Sequence, residues 1–236
     1  MKKIKAHIKE ELFRLDDKTI RREFIKRNLQ FFKTEGNVLI NEFGLSWTKG
    51  NGKNIADIAY FDFKNNLSYT FEIKSKFDNF SRLHKQLISY VKYFNIVYVI
   101  CYSKQVEKLK EFLIERNFSN NVGVIEVDDN LNFKEVKKAI YSKPSFDFFI
   151  RNLDKEELVL LCETKGINSS GSKIKLIDKI KLKVSYEELF KGLKNKLRRY
   201  YIKECEKCKS RIYFKRTIMN RSECFCFECG SIILDY

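Results

Sequence analysis

An uninterrupted apolar run, Ile96 to Tyr102, sets the terms for the rest of the chain. It has the length of a strand and no polar alternation, the pattern of a strand covered on both faces. A sheet with a strand of that kind at its centre needs helices on each side. The flanking segments supply them. Residues 3–33 carry apolar positions at helical spacing through Ile8, Leu12, Leu15, Ile20, Phe24 and Ile25, with Asp16-Asp17 breaking the stretch in two. Positions 79–94 fit a helix opened by Asp78 or Asn79, and 104–117 a charged amphipathic helix. Short strands are expected at 38–40, 55–63, 67–75 and 122–127, and a last helical turn or two at 133–140. The order is helix, three strands, helix, strand, helix, strand, which predicts an α/β fold with a mixed sheet flanked by helices.

The two middle strands carry the chemistry. Lys64-Asn65-Asn66 between them is a hairpin signal, and centring the turn on Asn65-Asn66 sets Asp57 close to opposite Lys74 and diagonal to Glu72. Glu72 and Lys74 are two apart on one strand and share a face. Two carboxylates and an ammonium then meet on one patch. A hard cation such as Mg²⁺ takes carboxylate oxygens and keeps several waters. Asp57 and Glu72 are the expected ligands, and Glu42, just after the first strand, is the candidate third acid. Lys74 is placed to orient or deprotonate an attacking water, or to stabilise the charge of a phosphoryl transition state. An acid-x-Lys triplet alone is weak, since Asp16/Lys18, Asp62/Lys64 and Glu135/Lys137 also form one. Only Glu72/Lys74 lies mid-strand with an Asp across a hairpin. Asp78, Arg82, Gln86 and Tyr90 follow directly, the last three on one helix face, as supporting residues. The plain alternative for them is an ordinary polar helix face.

The run Glu-Ile-Lys-Ser-x-x-Asp-x-x-x-Arg-Leu-x-x-Gln-x-x-x-Tyr, from Glu72 to Tyr90, resembles the PD-(D/E)xK superfamily, closest to a small bacterial and phage group with restriction-endonuclease-like folds. The resemblance covers roughly residues 36–128. It implies hydrolysis of phosphodiester bonds with Mg²⁺ or Mn²⁺, with Glu42, Asp57, Glu72 and Lys74 at the catalytic positions. It departs at the residue before Asp57, which is Ala56 where many members have Pro.

The rest of the chain reads as appendages. Pro144 lies in the boundary segment. Between 150 and 183 a helix ending at Gly166 and a second opening at Lys173 resemble a SAP motif, a small DNA-binding helix pair, through Leu158, Gly166, Ile167, Gly171, Lys173, Leu176 and Ile180. There Lys173, Lys175 and Lys179, with the backbone N–H groups of Ser170, Gly171 and Ser172, are expected to meet phosphates. The alternative is a helical hairpin docked on the core. A basic helix at 185–203 carries Arg198 and Arg199. Cys205-x-x-Cys208 and Cys226-x-x-Cys229 have the spacing of a four-thiolate structural zinc site, with expected strands at 211–214 and 231–234 looking like a zinc ribbon. Cys224 competes with Cys226 as the third ligand. The expected units are a nuclease-like domain with N-terminal helices at 1–145, the SAP-like unit at 150–183, the basic helix, and the ribbon at 204–236.

Net charge of +16 favours a polyanionic partner, although a lysine-rich surface would give the same figure. With 21 Phe, 12 Tyr and one Pro the composition is that of a packed chain, not a disordered one. No apolar run reaches the roughly 18 residues a membrane span needs, and the charged N-terminus does not read as a signal peptide. The expectation is a bacterial or phage-encoded cytoplasmic nuclease acting on DNA, with RNA not excluded. The competing expectation is a non-catalytic DNA-binding or regulatory protein on the same scaffold. Whether the ribbon meets nucleic acid or protein is left open by the sequence.

Overall fold

The computed structural model describes residues 15–32, 37–45, 54–151, 153–201, 207, 214–218, 221–225 and 232–235. Among the described residues the first helix, α1 (Asp17–Arg27), starts where the Asp16 carboxylate accepts from Thr19 N at 2.7 Å and acts as its cap; the helical pattern expected at residues 3–14 lies outside the described residues. A short α2 (Leu29–Phe32) follows. The strands are β1 (Val38–Leu45), β2 (Asn54–Asp62), β3 (Leu67–Lys74), β4 (Ile96–Tyr102), β5 (Val122–Val127) and β6 (Phe133–Lys137). They form one six-stranded sheet in sequence order. Pairings are antiparallel from β1 to β3, parallel from β3 through β4 to β5, and antiparallel again to β6. The two parallel crossovers contain α3 (Leu83–Tyr93) and α4 (Val106–Glu115). The mixed sheet flanked by helices is as expected.

Two buried clusters lie on opposite faces of the sheet. Ile20, Phe24 and Ile25 of α1 pack with Ile58, Tyr60, Phe71, Ile73 and Ile100. Leu83, Leu87 and Tyr90 of α3 and Leu109 and Leu113 of α4 pack with Ala59, Phe61, Val97, Val99 and Cys101. Val99 and Ile100 of β4 thus enter different clusters, and the strand is buried on both faces.

Three expectations need correcting. The hairpin register is slipped by two residues: Ile58 pairs with Phe71, not Ile73. Asp62 explains the slip, because its carboxylate accepts from Lys64 N, Asn65 N and Asn65 Nδ2 and closes the turn early. An even slip keeps every side chain on its face, but extending the pairing brings Asp57 beside Glu72 instead of Lys74. The helix expected from 79 begins at Leu83, with Arg82 in the N-cap position and no side-chain cap. Asp78 and Asn79 spend their side chains locally, on Ser75 and on Ser81. Finally, 133–137 is a strand. Asp128 accepts from Asn130 N, Asn132 N and Asn132 Nδ2, folding the chain back along the open edge of β5.

Beyond Pro144 come α5 (Phe146–Arg151), α6 (Lys155–Thr164), α7 (Lys173–Lys181) and α8 (Tyr186–Tyr201). Asp154 and Glu157 form a capping box at the start of α6. Gly166, at φ +61°, ends that helix as expected, with Gly166 N donating to Glu163 O and Ile167 N to Cys162 O. Buried Phe149, Leu158, Leu176, Ile180 and Phe190 are continuous with the α3-side core. The last three strands, β7 (Phe214–Ile218), β8 (Arg221–Phe225) and β9 (Ile232–Asp235), make a small antiparallel sheet. Cys224 falls within β8; Cys205, Cys208, Cys226 and Cys229 lie outside the described residues. Among the described residues no helix is long and apolar enough to cross a membrane.

Candidate active site

Glu72 and Lys74 leave β3 on the α3 side, and both are almost fully buried. Lys74 Nζ lies 2.7 Å from Glu72 Oε1 and 3.2 Å from Gln86 Oε1. Gln86 Nε2 donates to the same Glu72 oxygen at 2.6 Å. The Tyr90 hydroxyl is 2.8 Å from Glu72 Oε2 and 2.7 Å from the Ile55 carbonyl. Gln86 and Tyr90 are four apart on α3, so one helix face holds the β3 carboxylate at both oxygens. Burial first, and then the Glu72 charge, raise the Tyr90 hydroxyl well above its ordinary pKa; it remains a neutral donor.

Asp57, on β2, has a side chain only 19% exposed. Its Oδ2 accepts from Ile73 N at 2.8 Å, tying it to the main chain of β3 between Glu72 and Lys74. Its Oδ1 meets Arg21 Nη2 at 3.0 Å. Burial, followed by repulsion from Glu72, pushes the Asp57 carboxyl up to about 7, against the pull of Arg21, the Ile73 N–H and Lys74. Glu42, on β1, joins through the same guanidinium, with Oε1 3.0 Å from Arg21 Nη1.

Glu72, Lys74, Gln86 and Tyr90 therefore form one hydrogen-bonded group and Glu42, Arg21 and Asp57 a second, and the two meet only where Asp57 accepts from Ile73 N. Asp78 and Arg82 belong to neither. The Asp78 carboxylate accepts from Ser75 N and Ser75 Oγ at 2.8 and 2.7 Å and shapes the turn that follows β3. Arg82 is exposed at the start of α3. Arg21 is the functional candidate that the sequence reading missed. Its signal is a single cation on the buried stripe of α1, among Ile20, Phe24 and Ile25.

Carboxylate oxygens are the donors that a hard divalent cation prefers, and the Asp57 carboxyl, raised by burial first and by the Glu72 charge second, is one whose ionised form such a cation would favour. Among the described residues no group of three or more acid, His or Cys side chains is gathered closely enough to form a full cage. A cation here would take its remaining ligands from carbonyls and water, the habit of Mg²⁺.

In the helical region, Ser172 caps α7 by accepting from Lys175 N, and Gly171 has φ +125°. Lys173 Nζ donates to Arg151 O at 3.0 Å, and Lys179 Nζ to Asn168 O and Ser170 O at 3.0 and 2.9 Å. Of the three lysines expected at phosphates, Lys173 thus ties the start of α7 to the end of α5 and Lys179 braces the loop before α7, while Lys175 is exposed. Ser170 donates to Asn168 Oδ1 through both its N–H and its hydroxyl. Arg198 and Arg199 fall in α8, but their side chains lie outside the described residues.

Comparison with known families gives a match over residues 15–224 to bacteriophage P4 protein cII. The chain belongs to that family. The match takes in every strand of the six-stranded sheet and all of the helical region, so the site described above lies wholly within what the family shares in extent. No curated protein and no solved structure matches the chain.

Proposed function

We propose that this member of the phage P4 cII family is a metal-dependent nuclease of the PD-(D/E)xK type that hydrolyses phosphodiester bonds in DNA. The observation that most supports this is the buried Glu72–Lys74 pair on β3, fixed by Gln86 and Tyr90, with the Asp57 carboxylate bonded to the main chain between them at Ile73 N. A solvated strand face would have no need of such support.

Asp57 and Glu72 would hold Mg²⁺ or Mn²⁺, with Glu42 joined to Asp57 through Arg21; the ion when bound lowers the pKa of a coordinated water and neutralises phosphate charge. The chain's own part is positioning. Lys74 spends donors on Glu72 and Gln86 and keeps an N–H for a water or a phosphate oxygen. Its ammonium stands in a dry site, where its charge acts strongly on a developing phosphorane. Water then attacks phosphorus, the P–O ester bond breaks, and the leaving oxygen takes up a proton.

Substrate holding is assigned to the C-terminal part. The helix pair α6–α7, with its glycine-ended first helix and serine-capped second, fits a SAP-like reading in which Lys175 and the loop at 170–172 face the phosphate backbone. The cysteine spacing at 205, 208, 226 and 229 supports a structural zinc site, with Cys224 as the alternative third ligand. A net charge of +16 fits a polyanion and makes affinity fall steeply with salt.

The test is cleavage of plasmid and short linear DNA with Mg²⁺, Mn²⁺ or EDTA, comparing wild type with Glu72→Ala. Metal-dependent cutting that disappears in the variant is the expected result. Should neither protein cut while both retard DNA in a gel, a non-catalytic DNA-binding role replaces this reading.

A further inference from the structure

Arg21 is 5% exposed, and its guanidinium is shared among four acceptors. Nη1 donates to Asn41 Oδ1 at 2.9 Å and to Glu42 Oε1 at 3.0 Å; Nη2 donates to Asp57 Oδ1 at 3.0 Å and reaches Asp17 Oδ2 at 3.4 Å. Its Nε is buried and has no hydrogen-bond partner among the described residues. Packing of α1 alone would not select an arginine among Ile20, Phe24 and Ile25, because a buried cation is costly unless something needs it.

The backbone of β1 is bent to meet this group. Neighbouring side chains on a regular strand point to opposite faces, yet Asn41 and Glu42 both reach the same Nη1. They do so because Glu42 sits at φ +57°, in the left-handed region that a non-glycine residue occupies only at a cost. The pairing of β1 with β2 continues in one register on either side of it, from Asn41↔Ile58 to Phe43↔Ala56. The distortion is thus confined to the residue that presents its carboxylate to Arg21, across from Asp57.

We propose that Arg21 is a resident counter-cation that occupies the place between Glu42 and Asp57 and competes there with the divalent metal. The inference rests on the metal-site reading above. In the absence of metal the guanidinium keeps the two acids paired and correctly aimed. Metal entry must draw at least Asp57 away from Nη2, so the ion-pair energy is subtracted from metal affinity. Arg21 is a positioning residue, and its presence sets the metal concentration at which the site fills.

The test titrates the 236-residue protein with Mn²⁺ by calorimetry, with DNA absent, and takes binding lost in Glu72→Ala as the site signal. Arg21→Gln is expected to bind Mn²⁺ about tenfold more tightly than wild type, equivalent to about 1.4 kcal/mol. It should also melt at a lower temperature in EDTA and show a larger rise in midpoint on adding Mn²⁺. Arg21→Lys keeps the charge but loses the fork that spans Nη1 and Nη2 partners, and should fall between the two; it also serves if the glutamine variant does not fold. Unchanged or weaker Mn²⁺ binding in the variants would overturn the competition and leave Arg21 as a scaffold for the acids. If wild type shows no Mn²⁺ binding that Glu72→Ala removes, the metal-site reading itself fails, and the inference with it.

Discussion

The Asp57 carboxyl, raised from 3.8 to about 7 by burial and by Glu72, makes the metal-free protein sensitive to pH in a predictable direction. In the unfolded chain this group loses its proton near the lower value, whereas in the folded chain it keeps it to the higher one. Between the two the folded state binds more protons, so the contribution to stability is complete below about 3.8 and is lost as pH rises through about 7. In EDTA the thermal midpoint of wild type should therefore fall between pH 5.5 and 8 by more than that of Asp57→Asn. Saturating Mg²⁺ should abolish the difference, because the ion favours the carboxylate form, and Mg²⁺ affinity should rise with pH across the same window. An identical pH slope in the two proteins, melted side by side in EDTA, would show that the strained charge is not on Asp57.

Elements follow the same logic of partners. Gly123 on β5 lies so close to its neighbours that a Cβ would stand 2.4 Å from Tyr98 Cε1 and 2.6 Å from Ala139 N. The Tyr98 ring is itself held by the bond between its hydroxyl and Glu135 of β6, and the Ala139 nitrogen belongs to the main chain just past β6 and not to a flexible side chain. Gly123→Ala should cost about 1–3 kcal/mol, the usual penalty of overpacking, seen as a lower urea midpoint with an unchanged slope. The same contacts explain which elements could be read from the sequence. The strand Ile96–Tyr102 and the cap at Asp16 are written in local composition, and so is the helix stop at Gly166. So are the acids and the lysine of the site, since Glu72, Lys74, Gln86 and Tyr90 obey simple strand and helix spacing. The segment Phe133–Lys137 is not, because its short run suits a helical turn equally well and only the open edge of β5 makes it a strand. The register of the β2–β3 hairpin depends on where the Asp62 carboxylate closes the turn, which no alternation pattern encodes. Arg21 escaped notice because its partners at 41, 42 and 57 are distant in sequence.

Across the whole molecule, aromatic rings join the sheet to the C-terminal helices. Phe190 of α8 lies with its ring centroid 6.3 Å from Phe61, 5.0 Å from Phe63 and 6.0 Å from Phe149, and Phe149 stacks on Tyr93 of α3 at 5.0 Å. Main-chain bonds reinforce the joint, with Ser142 N donating to Asn95 O and Ser145 N to Lys92 O. A shared core of this kind makes the sheet and helices α5–α8 one cooperative unit, with the loop before α7 standing at a fixed place relative to Lys74. Truncating Phe190, which is fully buried, removes a large ring from the centre of that joint. Phe190→Ala should cost about 3–5 kcal/mol, and the loss should be felt by the sheet as much as by the helices. Urea transitions followed by far-UV circular dichroism and by protease cleavage within 155–201 should coincide in wild type and move together in the variant. If the helices become cleavable at urea concentrations where the sheet is still folded, they form a separately stable body. On the proposed nuclease reading, nucleic acid gripped by the helical part would then be free to move relative to Asp57 and Glu72.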